Sequence, residues 1–423
     1  MKLESYWLDT APPFAHAARE ALEGRADVAI IGGGFSGLSA ALALARSGAR
    51  PVLLEAGRVA SEASGRNGGH VGNGLAHSFA AVAAERGLEQ AKALHRAFAA
   101  AVDTVERIVR EEAIDCAFER TGRIKLAAKP GHVEGLKRNC ALIAREVDPD
   151  VALLDRADTA AETGSDAFYG GLLQRRSAQM HVGRFGQGLA EAAARAGARI
   201  HEHAAVTGAV RRAGGWRLTT PRGTIEADQV LLATGSTTRG PFGWFRRRYV
   251  PVGSFIIATK PLPDRLLATV LPRRRTASTS MNIGNYFRLA PDNRLIFGGR
   301  ARFAMSSPRS DAKSGQILER SMRAIYPQLR DTRIDYCWGG LVDMTVDRFP
   351  RAGEHDGLYF AMGYSGHGVQ MSVHMGQVLA EMMQGRPAAH PFAAEWKAIP
   401  GHFGPPWFLP LVGAYYKALD RIR

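Results

Sequence analysis

The chain has 423 residues, of which 46% are hydrophobic and 22% charged, a composition that supports a sizeable core and excludes general disorder and a coiled coil. Its 47 glycines follow no strict period, which excludes a collagen-like protein. The formal net charge is +15, but the basic residues are scattered and the short runs Arg246–Arg248 and Arg273–Arg275 have no nucleic-acid-binding motif around them, so we expect no nucleic-acid partner.

Three cysteines, Cys116, Cys140 and Cys337, lie far apart without a C-x-x-C pair. Such a sparse, odd set is typical of a reducing compartment and excludes a disulfide scaffold and a cysteine zinc site. The first residues contain no apolar signal segment, and we therefore expect a cytoplasmic protein. His201 and His203 share a strand face without a third ligand, so we predict no metal.

Apolar runs and a helical pattern alternate near the start of the chain. Asp27–Ile31 predicts a buried strand, Phe35–Ala45 a helix and Arg50–Glu55 a second strand. Together they form a βαβ unit of about 30 residues. We predict further helices at 79–113, His132–Glu146 and Arg184–Ala196, and strands at Gly122–Ala128, Arg199–His203, Ala205–Arg211, Trp216–Thr220, Thr224–Ala227 and Gln229–Ala233.

From about residue 240 to residue 336, hairpin signals replace the helical ones. Tyr286–Leu289 and Arg294–Gly298 are apolar runs that flank a strong turn signal at 290–293. After this region, Leu358–Met362 predicts a last buried strand and Gly366–Met383 a helix.

A glycine fingerprint, G-x-G-x-x-G, follows the first predicted strand and opens the first helix, and an acidic residue ends the next strand. The first glycine permits a tight turn, the second lets the backbone approach a pyrophosphate, and the third allows close helix–strand packing. The helix N-terminus supplies N–H groups for phosphates, and the acid accepts hydrogen bonds from a ribose. The motif predicts a dinucleotide site, with a plain glycine turn as the alternative. The predicted contacts are Gly32, Gly34, Phe35, Ser36, Gly37 and Glu55.

The sequence contains no second copy of this fingerprint, although an enzyme that passes electrons from NADPH to a flavin usually needs two such sites. A single site, with a later strand that ends at Thr234 and Gly235, favours FAD. FAD is a resident cofactor that carries the redox chemistry itself.

Two further glycine-rich segments have the composition of flavin contacts. Residues 64–70, SGRNGGH, are small or polar and suit a segment that wraps the pyrophosphate and the edge of the ring. Residues 363–368, GYSGHG, stand before a helix whose positive end would favour flavin reduction. An ordinary polar loop and a plain helix entry are the alternatives. The predicted contacts are Ser64, Gly65, Arg66, Asn67, Gly68, Gly69, His70, Thr234, Gly235, Gly363, Gly366, His367 and Gly368.

A resemblance to a known family rests on five segments: DVAIIGGGFSGLSAALALA at 27–45, SGRNGG at 64–69, NYFRLAPDNRLIFGG at 285–299, GYSGHG at 363–368 and GAYYKALDRI at 413–422. With them the chain resembles the glycine/D-amino-acid oxidase (DAO) family of FAD-dependent oxidoreductases, and most of all its γ-glutamylputrescine oxidase-like branch. The resemblance covers nearly the whole chain.

The resemblance implies oxidation of the C–N bond of an amine or amino acid to an imine, by hydride transfer to the flavin. Oxygen or a quinone would then reoxidise the flavin. The alternatives are a dehydrogenase that passes electrons to a quinone or a partner protein, and a flavin-binding subunit without turnover in a larger oxidase.

The implied fold class is α/β: a discontinuous, Rossmann-like FAD-binding domain with a second α+β substrate domain on an antiparallel sheet. We assign residues 26–85, 165–239 and 337–388 to the first domain, and 86–164 and 240–336 to the second. Residues 389–423 form a tail that we expect to pack on the fold, although the apolar stretch 405–416 leaves a weak membrane contact as the alternative.

Two positions depart from the family pattern. Gly340 stands where sarcosine-oxidase-like relatives link a cysteine to the flavin, with Cys337 three residues earlier, so the resemblance implies non-covalent FAD. Gln370 stands where those relatives use a lysine on a substrate carboxylate, which disfavours a small α-amino acid as substrate.

Candidates for contact with the substrate come from strand periodicity and from the motifs. Tyr286 and Arg288 share one strand face and are expected to present a ring and a cation to the cavity, the cation for a distal carboxylate. A solvent-facing or sheet-packing pair is the alternative. The other two candidates are His367 and Gln370; His367, like His70 and His181, is more typical of a structural hydrogen-bonder than of a base.

Overall fold

Arg25–Ile31 lies near the centre of an eight-stranded sheet, as its apolar run predicts. The computed structural model describes residues 1–404 and 406–422. In this first sheet the central strand pairs in parallel with a strand on each side. The order is Arg351–His355, Leu358–Met362, Gly223–Leu232, Arg25–Ile31, Pro51–Leu54 and Arg199–His201, with Gly215–Thr220 beside Gly223–Leu232 and Gly208–Arg212 beside Gly215–Thr220.

The parallel strands of this sheet all end at one edge. The segments that follow them begin at Gly32, Glu55, Ala233 and Gly363. Because the carboxyl ends of parallel strands meet, segments far apart in sequence come together there. This edge brings together three of the predicted motifs.

Two helices that start at this edge pack tightly against each other, Phe35–Arg46 and Gly368–Met383. Ser39 Oγ donates to the carbonyl oxygen of Val373 at 2.7 Å. A side chain at Gly376 would lie 2.5 Å from a backbone oxygen of the facing helix, so the glycine permits the close approach.

The second sheet also has eight strands, and its neighbours are antiparallel apart from one parallel pair, Thr276–Thr279 with Arg123–Leu126. The predicted hairpin is present as Asn285–Leu289 and Leu295–Gly299. The order is Ile334–Met344, Val250–Thr259, Leu295–Gly299, Asn285–Leu289, Thr276–Thr279, Arg123–Leu126, Gly171–Gln174 and Val151–Leu154. Two sheets of these kinds confirm the predicted fold class.

The division of the chain into two domains stays a proposal, and the two sheets suggest boundaries that differ from those predicted. Gly171–Gln174 and Ile334–Met344 belong to the second sheet. They extend into segments 165–239 and 337–388, which we assigned to the first lobe. A short ribbon, His70–Val71 with Ala178–Gln179, lies outside both sheets.

Most remaining elements are helices. Buried apolar side chains lie on both faces of the first sheet and on both faces of the central strands of the second. The helices are Tyr6–Asp9, Ala63–Arg66, Phe79–Arg86, Leu88–Glu111, His132–Glu146, Arg156–Thr163, Val182–Arg195, Gly243–Arg246, Asp264–Leu267, Pro308–Ile325 and Leu409–Ile422, with 3-10 turns at Gly235–Thr237 and Pro327–Leu329.

Two helix predictions were wrong in detail. The helix expected over 79–113 breaks at Gly87, whose φ of +86° does not continue a helix. The region 240–336 contains the helix Pro308–Ile325 as well as hairpins. Its start signal was present in the sequence, since Ser307 caps the helix by accepting from the backbone N–H of Ser310.

The C-terminal helix contacts the second sheet's loops. Tyr416 stacks on Phe303 with ring centroids 5.9 Å apart, and the Asp420 carboxylate accepts from the backbone N–H groups of Asn282 and Ile283. Pro405 and Arg423 of the predicted tail lie outside the described residues. Within the described residues, no helix has the length and apolar character needed to cross a membrane.

Candidate active site

A cavity of about 1210 Å³ opens between the two sheets. Its walls include Gly32 and Glu55 from the edge of the first sheet and Ser254 and Tyr286 from the second. Pockets for one small ligand typically measure ~300–1,000 Å³. This cavity therefore has room for a long ligand and a second molecule beside it.

Most of the described residues that the sequence predicted as contacts line this cavity. The five predicted residues that do not line the cavity are packed against neighbouring protein atoms. The lining residues are Gly32, Gly34, Phe35, Ser36, Glu55, Ser64, Arg66, Asn67, Gly68, His70, Thr234, Gly235, Tyr286, Gly366, His367, Gly368 and Gln370. The others are Gly37, Gly65, Gly69, Gly363 and Arg288.

The glycine fingerprint has the geometry of a phosphate cradle. Gly32 adopts φ +109°, and a side chain there would lie 2.7 Å from the Ala233 carbonyl oxygen. A side chain at Gly37 would clash with the carbonyl oxygen of Gly32, so this glycine serves helix–strand packing. At Gly34 the Cβ position meets only the Ser64 hydroxyl, at 3.0 Å, and otherwise faces the cavity. The cradle is thus open on the side from which a pyrophosphate would approach.

Glu55 stands at the cavity wall, where the second parallel strand ends. Its carboxylate accepts from the backbone N–H groups of Gly33 at 2.6 Å and Gly57 at 2.7 Å. Burial raises the pKa of Glu55, while these two donors oppose that rise. The carboxylate is thereby fixed beside the glycine loop, where it suits a ribose.

The segment 64–70 is held by bonds from side chains to backbone. Arg66 Nη1 donates to the carbonyl oxygen of Gly339 at 3.1 Å, and Trp338 Nε1 donates to that of Arg66 at 3.0 Å. Asn67 Oδ1 accepts from the backbone N–H of Gly69 at 2.8 Å. These contacts fix the loop against the second sheet, with Ser64 and Gly68 at the cavity wall.

No cysteine among the described residues lines the cavity. Gly340 does line it, beside Arg66, at the place where relatives are expected to carry the linking cysteine. The Cys337 thiol points into the core on the other side of its sheet and donates to the Asp311 carbonyl oxygen at 3.2 Å. This arrangement favours non-covalent FAD.

The segment 363–368 turns over a buried carboxylate. Asp343 accepts from the backbone N–H of Gly363 at 2.6 Å, and burial raises the pKa of Asp343 to about 6. A side chain at Gly363 would lie 2.5 Å from the methyl group of Thr345. Gly363 is thus packed against Thr345 and does not line the cavity. The helix begins at Gly368, two residues after the predicted start, and its N-cap is His367.

The histidines near the motifs are neutral at physiological pH. Burial lowers the pKa of both His70 and His367 to about 3, with a smaller contribution from the positive charge of Arg123. His181 lies outside the cavity and caps a helix by accepting from the backbone N–H of Arg184 at 3.2 Å. Of the three, His181 acts as a structural hydrogen-bonder, whereas Nε2 of His70 and Nδ1 of His367 are buried without a hydrogen-bond partner among the described residues.

Tyr286 projects into the cavity from the second sheet. Its hydroxyl lies 3.0 Å from Ser254 Oγ, and burial raises its pKa to about 12. Its ring occupies the space that side chains at Gly68 and Gly298 would fill. Tyr286 therefore remains protonated and joins the loop of the first lobe to the second sheet.

Arg288 does not present its cation to the cavity, contrary to the prediction. It is 1% exposed, and Nη1 donates to the carbonyl oxygens of Gly69 and Met180, both at 2.7 Å. It does share a sheet face with Tyr286, but this face extends past the cavity and under Gly69. Backbone carbonyls thus occupy the guanidinium that we expected to hold a substrate carboxylate.

Gln370 lines the cavity, but its amide nitrogen is engaged. Nε2 donates to the carbonyl oxygen of Gly72 at 2.7 Å. One of the two amide N–H groups is therefore occupied by the backbone, and the amide carries no charge to offset that of a substrate carboxylate. The loop 70–74 is held by Gln370 where relatives are expected to use a cation.

Sequence reasoning missed three cations, two on the strand Arg123–Leu126 of the second sheet and one, Arg300, directly after the strand Leu295–Gly299. Arg123, Lys125 and Arg300 line the cavity. The signal was the strand prediction at Gly122–Ala128, since positions 123 and 125 alternate and so share a face. The same argument that selected Tyr286 would have selected them.

Comparison with known proteins agrees with this geometry. The family described as "DAO: FAD dependent oxidoreductase" matches residues 27–382. The chain belongs to this family. Its cofactor is therefore FAD, as predicted, and the cradle at Gly34, the acid at Glu55 and the cavity between the sheets fit FAD.

Individual DAO-family relatives match most of the chain. The probable oxidoreductase OrdL of Haemophilus influenzae is 31% identical over 94% of this chain and 93% of its own length. The gamma-glutamylputrescine oxidoreductase of Escherichia coli K12 is 29% identical over 94% of this chain and 93% of its own. The crystal structure of glycine oxidase from Geobacillus kaustophilus has a TM-score of 0.71 and 25% identity, and covers 88% of this chain and 98% of that one.

The fingerprint assignment predicts that Gly34→Val abolishes FAD binding. A branched side chain at Gly34 would fill the open side of the cradle, and we expect the FAD content to fall below about a tenth of the one FAD per wild-type chain. Absorbance of the purified protein measures this content. Gly208→Val, on a partly exposed strand, is the matched control and should keep its FAD. Full FAD in Gly34→Val would contradict the assignment.

The cavity wall predicts that acid releases the flavin. Gly340 offers no atom for a covalent link, and the thiol of Cys337 lies on the other face of its strand. Acid precipitation of the yellow protein should leave the colour in the supernatant. A coloured pellet would show a covalent bond and a wrong placement of this region.

Proposed function

We propose that the protein oxidises the C–N bond of an extended amine to an imine, in the manner of γ-glutamylputrescine oxidase-like enzymes. The cavity shared by the two sheets is the observation that carries this proposal. One wall is a dinucleotide cradle, and the opposite wall is a sheet with polar and cationic side chains. Identity of 29% to gamma-glutamylputrescine oxidoreductase over nearly the full chain supports it.

Bound FAD supplies the chemistry by accepting a hydride from the carbon next to nitrogen. The protein's own contribution is to hold the amine and exclude water. Tyr286 and His367 bring an uncharged hydroxyl and an uncharged imidazole to the cavity wall. The proton of the amine leaves separately, and the imine is then hydrolysed by water.

A small α-amino acid is a poor match to the cavity. The Gln370 amide is neutral and one of its N–H groups donates to Gly72, so it can hydrogen-bond a nearby carboxylate but cannot balance its charge. A charge-assisted hydrogen bond contributes ~1.5–3 kcal/mol and a neutral one ~0.5–1.5. Losing this difference weakens binding by about tenfold.

Substrate ranking follows from this difference. Extended amines of the γ-glutamylputrescine type should exceed glycine, sarcosine and D-alanine in kcat/KM by about tenfold or more. Anaerobic reduction of the flavin by each amine checks the ranking without reference to the electron acceptor. A higher kcat/KM for glycine or sarcosine would contradict it.

The rate of flavin reduction should rise with pH. Hydride leaves only when the nitrogen lone pair is free, and an aliphatic ammonium has a pKa of ~10.4. Because the pKa of His367 is lowered to about 3, this histidine does not titrate in the working range. The apparent pKa of the rise should therefore be the same in His367→Gln, measured by anaerobic stopped flow. A profile flat from about pH 6 to 10 would contradict a proton-gated step.

Location and acceptor are further parts of the proposal. The three cysteines are free and buried, which supports a cytoplasmic protein.

Trp407, Leu411 and Tyr415 are exposed at intervals of four residues, which supports a weak contact of the C-terminal helix with a membrane surface. Co-sedimentation with anionic vesicles tests that contact, and peroxide formation under air separates oxygen from a quinone as acceptor.

A further inference from the structure

Three cations of the second sheet face the cavity without acidic partners. No carboxylate of the described residues shifts the pKa of Arg123, Lys125 or Arg300. The buried Nε of Arg123 has no hydrogen-bond partner. Buried charges are costly unless they are paired. All three side chains are half-buried at the cavity wall, so an anion bound in the cavity would balance their charges.

Sheet register places one of these cations, Lys125, in the same row as Tyr286. Arg123 and Lys125 are two residues apart on one strand, so they share its face. Lys125 is paired with Ser278, and Ser278 with Tyr286, so these residues form one row across the sheet. The row lines the cavity.

Two glycines, Gly72 and Gly74, leave room for the guanidinium of Arg123. A Cβ at Gly74 would lie 2.8 Å from Nη1 of Arg123, and one at Gly72 would lie 3.1 Å from the same atom. Gln370 holds this loop through the carbonyl oxygen of Gly72. The guanidinium is thus placed on the same side of the cavity as Gln370.

The electrostatics of the cluster favour an anionic ligand. Burial lowers the pKa of Arg123 to about 10 and that of Lys125 to about 8, and the charges of Arg123, Arg300 and Arg348 add to the effect on Lys125. Arg348 also lines the cavity and donates to the Tyr416 hydroxyl at 3.1 Å, which does not balance its charge. FAD phosphates belong to the cradle on the other sheet, so they do not supply the missing negative charge.

We propose that Arg123, Lys125 and Arg300 bind the carboxylates of an amine substrate that carries two of them. A single carboxylate would leave most of the positive charge at this wall unbalanced, since Arg348 lies there too. Two carboxylates balance more of it and can engage the arginines by paired hydrogen bonds. The inference rests on the proposed function and narrows its substrate class. Among extended amines, those with two carboxylates should have a higher kcat/KM than γ-glutamylputrescine.

Calorimetric titration of the FAD-loaded protein with compounds that cannot be oxidised tests the site. The probes are unbranched dicarboxylates of four to seven carbons, with the monoamide and the diamide of each. The best dicarboxylate should bind at least tenfold more tightly than its monoamide, and the diamides should not bind. Equal affinity across a series, or no binding by any dicarboxylate, would overturn the inference.

Variants assign the binding to the three cations. Arg123→Met, Lys125→Met and Arg300→Met should each weaken dicarboxylate binding at least tenfold, while Lys125→Arg retains most of it. Lys137→Met removes an exposed cation outside the cavity and is the matched control, with unchanged affinity. FAD absorbance and thermal melting confirm that each variant is folded. Wild-type affinity in all three methionine variants would overturn the assignment.

Flavin reduction separates this inference from the proposed function. If dicarboxylates bind through the three cations but no amine reduces the flavin, the proposed function fails and the anion site stands. If amines reduce the flavin and KM is the same with and without carboxylates, the inference fails and the proposed function stands.

Discussion

The site depends on the parallel pairing of the first sheet. Arg25–Ile31 pairs with Gly223–Leu232 and Pro51–Leu54, and Leu358–Met362 extends the same parallel array. Since all these strands end at one edge, residues more than 300 positions apart, such as Gly32 and Gly363, lie on one side of the sheet. Neither segment alone could form the cavity wall.

Close backbone approach converts this edge into a cradle. Gly37 allows the first helix to meet the turn at Gly32, and Gly376 allows the helix Gly368–Met383 to lie against the first helix. The two helix starts thereby face the same cavity. Helix N-termini direct unpaired N–H groups outward, which suits the negative charges of a dinucleotide and of a reduced flavin.

The second sheet contributes one face, and its register decides which residues reach the ligand. The row that includes Lys125, Ser278 and Tyr286 lines the cavity. Arg288, two residues after Tyr286 on the same strand, lies beneath Gly69 and Met180 and is enclosed. Flavin cradle and cation cluster thus come from different sheets, and the cavity between them is where electron transfer and substrate recognition meet.

Local signals were enough to predict the FAD half of the site. The turn at Gly32, the strand that ends before Glu55 and the helix at His132–Glu146 depend on neighbours in sequence, and the structure contains each of them. Arg288 was misplaced because its partners, Gly69 and Met180, are more than 100 residues away, and periodicity gives a face but not what covers it. Arg123 and Lys125 were missed although alternation on a predicted strand places them on one face. That this face meets the flavin loop follows from strand order, which local signals do not give.

A crystal structure of the protein with FAD and a non-oxidisable dicarboxylate tests the central claim most directly, namely that one cavity joins the two sheets' contributions. The account predicts the pyrophosphate at the open side of Gly34 and carboxylate oxygens within hydrogen-bonding distance of Arg123 and Lys125. A dicarboxylate bound outside this cavity, or a flavin ring directed away from Tyr286, would contradict it.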